Sequence, residues 1–201
     1  MKVNNYLSIN ELYKKILFPT NYEKFENLID EEGSFLKINQ LISFQNLEFG
    51  EDLRSVEKKM GVPRYVVNRA NYIAPIIYFY KEFVLNHEII IQLFFYDNKF
   101  VFATQTIFDE SKEWKEFIMQ VVYEKYNNKN TSVVRDKNIN EMFFIDQQSN
   151  KIILLNSVNL NILYVAGQKN LINLIKDFNQ SFKSKSEKDF EQFKKIVFDK
   201  F

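Results

Sequence analysis

At 201 residues, 46% of them hydrophobic and 26% charged, the chain has the composition of a globular protein with a sizeable core, organised as one domain or two small ones. Its 27 basic and 26 acidic residues leave a net charge of +1, so there is no general attraction for a polyanion and nucleic acid is not the expected partner. The lack of any cysteine excludes disulfides, thiolate metal sites and a cysteine nucleophile, and suits a reducing compartment.

The start, Met1 to Ser8, has neither a continuous apolar run nor a lipidation cysteine. No apolar stretch approaches the roughly 18–20 residues that span a bilayer, and the expectation is a cytoplasmic protein with no membrane span. Two capping boxes, Ser8-Ile9-Asn10-Glu11 and Thr20-Asn21-Tyr22-Glu23, predict short helices near Ile9 to Leu17 and Asn21 to Ile29, separated by Pro19. The run Asp30-Glu31-Glu32 before Gly33 reads as solvated loop charge rather than a metal site. Residues 1–33 are thus an N-terminal helical segment, 34–166 an α+β core, and 167–201 C-terminal helices.

Between Ser34 and Phe49 the pattern serves a helix or a strand, and a strand near Leu41 to Leu47 is preferred. Phe49, Leu53, Val56 and Met60 then give a helical stripe, closed by Gly61 with Pro63 just beyond. The phrase from Phe49-Gly50 through Val56 to Gly61-Val62-Pro63, followed by an antiparallel meander, resembles the helix-then-sheet module of the β-lactamase-inhibitor-protein and BamE-like superfamily. The likeness covers about 60 residues and rests on five or six positions; helix capping alone also places Gly and Pro there. It implies a noncatalytic binding module whose exposed sheet face receives a partner. Members of the BamE type are outer-membrane lipoproteins, and this chain departs from them in having no anchoring cysteine.

Two β-rich runs, Ile89 to Tyr96 and Lys99 to Phe108, flank Asp97-Asn98, a pair that tolerates positive φ and so predicts a two-residue hairpin. With Tyr96 opposite Lys99, Ile91, Leu93, Phe95, Phe100 and Phe102 share one apolar face. The other face, with Ile90, Gln92, Phe94, Tyr96, Lys99, Val101, Ala103 and Gln105, is the wetter one. Next, Ser111 is an N-cap for an amphipathic helix whose stripe is Trp114, Phe117, Ile118, Val121, Val122 and Tyr126, expected to lie across the apolar face.

Asn127 to Lys137 reads as a loop. Met142 to Ile145, a turn over Asp146 to Asn150, Lys151 to Leu155 and Val158 to Val165 form a second set of strands. Leu93 to Asp97 and Met142 to Asp146 are alike, which fits a degenerate tandem of helix-plus-strands units over 49–109 and 110–166; ordinary strand and turn patterning yields the same likeness. At the C-terminus Leu171, Leu174, Ile175, Phe178 and Phe182 form one helical stripe. A second helix is expected after Ser186, with the stretch Lys183 to Lys188 as a solvated linker.

The fold expected is therefore α+β, antiparallel sheet packed against amphipathic helices. His87, the only histidine, falls in an expected loop, and no G-x-S-x-G, H-E-x-x-H, P-loop or dinucleotide fingerprint occurs. No cofactor is implied. The first functional reading is a protein-interaction module of inhibitor, immunity or adaptor type, contacting another protein through Tyr78, Tyr80, Gln92, Phe94 and Tyr96. The alternative is a small hydrolase-like enzyme using paired carboxylates. A covered second core layer is the plain structural explanation of the same aromatics, and terminal helices lying on that face would remove it from solvent.

Overall fold

The computed structural model describes residues 35–68, 74–84, 87–108, 111–126 and 141–198; in the last helix, side chains are described through Ser181 and at Lys188, Glu191 and Gln192. The expected N-terminal helices, the acidic run at 30–32 and the loop at 127–137 lie outside the described residues. In chain order the elements are β1 (Leu36–Lys37), α1 (Leu53–Met60), β2 (Tyr65–Asn68), β3 (Ile76–Val84), β4 (His87–Tyr96), β5 (Lys99–Ile107), α2 (Lys112–Tyr126), β6 (Glu141–Ile145), β7 (Lys151–Asn156), β8 (Leu160–Val165) and α3 (Lys169–Phe198).

The fold is α+β. All eight strands belong to one sheet of order β1-β6-β7-β8-β5-β4-β3-β2. Neighbours pair antiparallel except β1, which runs parallel to β6. Two meanders, β2 to β5 and β6 to β8, each follow a helix, and they join through their last strands, β5 against β8. The similar stretches Leu93 to Asp97 and Met142 to Asp146 end the third strand of one meander and the first strand of the other.

Local chemistry sets the element ends, and at Gly61 and Asp97-Asn98 it does so as expected. Asp52 caps α1 by accepting the Ser55 N–H at 2.8 Å, and that bond holds its carboxyl below the usual range. Gly61, at φ 81°, closes the helix and donates to the Glu57 carbonyl at 2.8 Å. Asp97 and Asn98 adopt positive φ (48° and 57°) between Tyr96 and Lys99, as that pair of residues predicts.

The register beyond that turn differs from simple alternation. Phe95 faces Phe100 but Phe94 faces Phe102, so Val101 is an extra residue, a β-bulge. The bulge moves Phe102 onto the face of Phe94 and puts Ala103 and Gln105 with Leu93 and Ile91. One further correction concerns 41–47: in place of a strand, Gln45 and Asn46 take positive φ (46° and 65°) in a miniature hairpin, with Phe44 and Leu47 bonded reciprocally.

Both faces of the sheet are covered. Register places Tyr78, Leu93, Ala103, Tyr164, Ile152 and Phe144 on one face. There α1 meets Tyr78 and Tyr80, Phe44 packs on Phe100 and Tyr164, and α2 brings Tyr123 and Tyr126 to Phe144. On the opposite face α3 lays Phe178 edge-on to Tyr96, ring centroids 5.6 Å apart. The C-terminal region is one 30-residue helix rather than two. Lys183 to Lys188 contains no glycine or proline, and lysine, serine and glutamate all continue a helix at small cost.

A buried polar node ties the second meander to the chain before α1. The Asp146 carboxylate accepts four hydrogen bonds: Gln148 N–H and Asn150 N–H on Oδ1, and Ile42 N–H and Asn150 Nδ2 on Oδ2, all at 2.8–2.9 Å. Asn150 Oδ1 in turn accepts the Gly167 N–H at 2.8 Å. Gly167 has to be glycine, because a Cβ there would fall 1.9 Å from the Ser149 carbonyl carbon.

Candidate functional site

The five residues expected to meet a partner are all inside the molecule. Tyr78, Tyr80, Gln92, Phe94 and Tyr96 are buried, none more than 8% exposed. They also do not share a face. Tyr78 and Tyr80 point toward α1, where Tyr78 donates to Glu57 Oε1 at 2.8 Å and Tyr80 to the Gly61 carbonyl at 3.1 Å. Burial, reinforced by the Glu57 charge, pushes Tyr80 up to about 12 and raises Tyr78 as well, so both stay neutral donors. Gln92, Phe94 and Tyr96 lie on the other face, where Phe178 of α3 covers Tyr96. The wetter face is therefore a second core layer, with Thr104 opposite Gln92 and the Thr106 hydroxyl donating to Asn161 Oδ1 at 2.9 Å. The physical reason for the correction is that each face is covered, by α1 over Tyr78 and Tyr80 and by the C-terminal helix α3 over Tyr96.

An exposed apolar flank lies elsewhere, on α2. Ser111 caps this helix as expected, its Oγ accepting the Trp114 N–H at 3.4 Å. The stripe, however, is turned. Lys115, Met119 and Tyr126 are buried, with Ile118, Val122 and Tyr123 partly so, whereas Phe117 is 54% and Val121 46% exposed. The turn is possible because Lys115 buries its aliphatic stem while its ammonium donates to the carbonyls of Ser157 and Val158, at 3.0 and 2.9 Å, in the β7–β8 connection.

Trp114 links this exposed flank to the sheet. Its indole stacks on His87 at the start of β4 (4.4 Å between centroids, planes 19° apart) and on Phe117 (5.4 Å, 26°). His87 is thus a strand residue rather than a loop residue. Its register partner Val84, 47% exposed, extends the surface onto the end of the β3–β4 hairpin. The result is a line of apolar and ring side chains, Val84, His87, Trp114, Phe117 and Val121, contributed by three elements, β3, β4 and α2.

A signal for this surface was present in the sequence. Trp114, Phe117 and Val121 together with Ile118, Met119, Val122, Tyr123 and Tyr126 occupy well over half of the helical wheel, more than a helix lying on one sheet can cover. Among the described residues no group of three His, Cys, Asp or Glu side chains is arranged to hold a metal ion. Among the described residues, the Asp52 and Glu113 carboxyls are held below the ordinary carboxylate range by hydrogen bonds at helix starts. No helix among the described residues is long and apolar enough to cross a membrane.

No known family model, curated protein or solved structure matches this chain. The functional reading accordingly rests on the surface just described.

Proposed function

We propose that this chain is a noncatalytic protein-interaction module, of the inhibitor, immunity or adaptor kind, acting in the cytoplasm. Its contact surface is the Trp114–Phe117–Val121 flank of α2 with the end of the β3–β4 hairpin, in place of the sheet face. The observation that supports this reading is the stacked ladder His87–Trp114–Phe117, which runs from the start of β4 out to a half-exposed aromatic ring. Aromatic anchors held rigid by stacking lose little side-chain freedom on binding, and they dominate the energy of interfaces. A contiguous apolar surface of this kind marks an interaction site more often than a scattered leucine does.

The test compares proteins captured from the native cell by the tagged chain and by a Phe117→Asp/Val121→Asp variant, quantified by mass spectrometry. The expected result is a partner enriched with the wild-type chain and lost with the variant. Both positions are about half exposed and Phe117 gives up its stack on Trp114, so the urea midpoint should fall by what about 1–2 kcal/mol moves, leaving the chain folded. Equal capture by the two proteins, or none above the tag alone, refutes the reading.

A further inference from the structure

The apolar flank of α2 has a charged rim of uneven sign. Helical spacing sets Glu113, Gln120 and Glu124 along the border of Phe117 and Val121 that lies farther from the sheet. Glu113 and Glu124 are exposed. Glu113 is held by the Ser111 hydroxyl at 2.8 Å and Glu124 by Gln120 Nε2 at 2.8 Å. Glu116, one step further round, lies 3.5 Å from Lys112. The opposite border carries Lys125, whose ammonium sits over the Tyr126 ring at 5.1 Å.

We propose that the occupant of this surface is an amphipathic helix of another protein, apolar at i, i+3 and i+7 and bordered by lysine or arginine. The proposal rests on the interaction reading above and narrows it. Three arguments select this occupant. First, α2 uses its backbone groups internally, so it offers nothing for an extended peptide to pair with; a helix brings its own backbone bonds satisfied and packs side chain against side chain. Second, the glutamate border is complementary to basic residues and repels an anionic bilayer. Third, an antiparallel pair of copies meeting through this flank sets one glutamate border against the other, a like-charge contact that a basic partner avoids.

The experiment selects peptides from a displayed library of helical sequences with randomised surface positions, using the full chain as bait. Counter-selection uses the Phe117→Asp/Val121→Asp variant, whose urea midpoint and circular dichroism are checked against wild type. Enriched peptides should carry an apolar stripe with a net positive border. A Glu113→Lys/Glu124→Lys variant should bind them about 10-fold more weakly at low salt, the difference shrinking as ionic strength rises. Enriched peptides that need Phe117 and Val121 yet are neutral or acidic overturn this proposal and leave the interaction reading standing. Failure of any peptide to distinguish the wild-type chain from the double-aspartate variant removes both. Co-sedimentation with phosphatidylcholine–phosphatidylserine vesicles, or a concentration-dependent dimer in light scattering, overturns the proposal if the double-aspartate variant abolishes it.

Discussion

Asp146→Asn is nearly isosteric, and the geometry around this residue makes it a sharp probe of how the two meanders are held. Each carboxylate oxygen accepts two N–H groups, Gln148 and Asn150 on one side, Ile42 and the Asn150 side chain on the other. An asparagine presents one oxygen and one NH2. Whichever way the amide is turned, its nitrogen faces two donors and two bonds are lost. Hydrogen bonds to a charged acceptor contribute about 1.5–3 kcal/mol each, so the substitution should cost roughly 3–5 kcal/mol, the lower part of that sum allowing for relaxation. For a chain of this length about 1 kcal/mol moves the melting temperature by roughly 2–4 °C, and a fall of about 10 °C is expected. Calorimetry and urea unfolding read this directly, with Asp97→Asn as the control. Asp97 sits exposed in a turn at φ 48°, a conformation asparagine accepts equally well. A loss under about 2 °C for Asp146→Asn, or equal losses at the two sites, would show that the four-donor node contributes little.

Four other outcomes follow from the packing. Phe94→Ala and Tyr96→Ala should each lower stability by about 3–5 kcal/mol, measured by denaturant unfolding, because both side chains are buried at 1% exposure; near-neutral effects would return them to the surface. Gly167→Ala should be at least as damaging as a cavity in the core, since its methyl group meets the Ser149 backbone and not a side chain that can swing away. Lys115→Met keeps the buried stem but removes the donor to Ser157 and Val158; those residues are exposed, their carbonyls can turn to water, and the loss should be about 1–2 kcal/mol by urea unfolding. Tyr78, Tyr80 and Tyr164 are all raised above the ordinary value of 10, chiefly by burial. Their contribution is complete below about pH 10, where both states are protonated. It then declines as the unfolded chain ionises first, through the value of about 12 for Tyr80. Urea midpoints taken from neutral to strongly alkaline pH, with tyrosinate absorbance followed in parallel, should therefore fall only in the alkaline range.

Much of the fold was legible because short-range chemistry decides it. The Asp97-Asn98 turn, the Ser111 cap and the Gly61 stop each depend on a few neighbouring atoms, and sequence spacing reports those atoms faithfully. What was not legible depends on the third dimension. One extra residue at Val101 leaves the pattern of β5 looking regular yet exchanges the faces of everything after it. Phe94 and Tyr96 look the same in a sequence whether water or α3 lies above them. Lys115 reads as a solvent residue, and only the two carbonyls of the β7–β8 connection explain why the helix turns that side inward and leaves Phe117 and Val121 outside. The unbroken α3 shows the reverse error: Ser186 has the chemistry of a cap, but without a breaker before it the helix has no reason to stop.

The seam between β5 and β8 has a consequence for synthesis. Phe102 and Val165 are register partners, so the outer edge of β5 stays open until the ribosome has delivered β8, long after the first meander is complete. A nascent chain arrested before residue 160 would carry an unpaired central strand rich in apolar groups, the kind of edge on which chains associate wrongly. Arrested chains ending before β8 should thus recruit holdase chaperones and sediment with aggregates. Chains extended beyond Val165 should shed them.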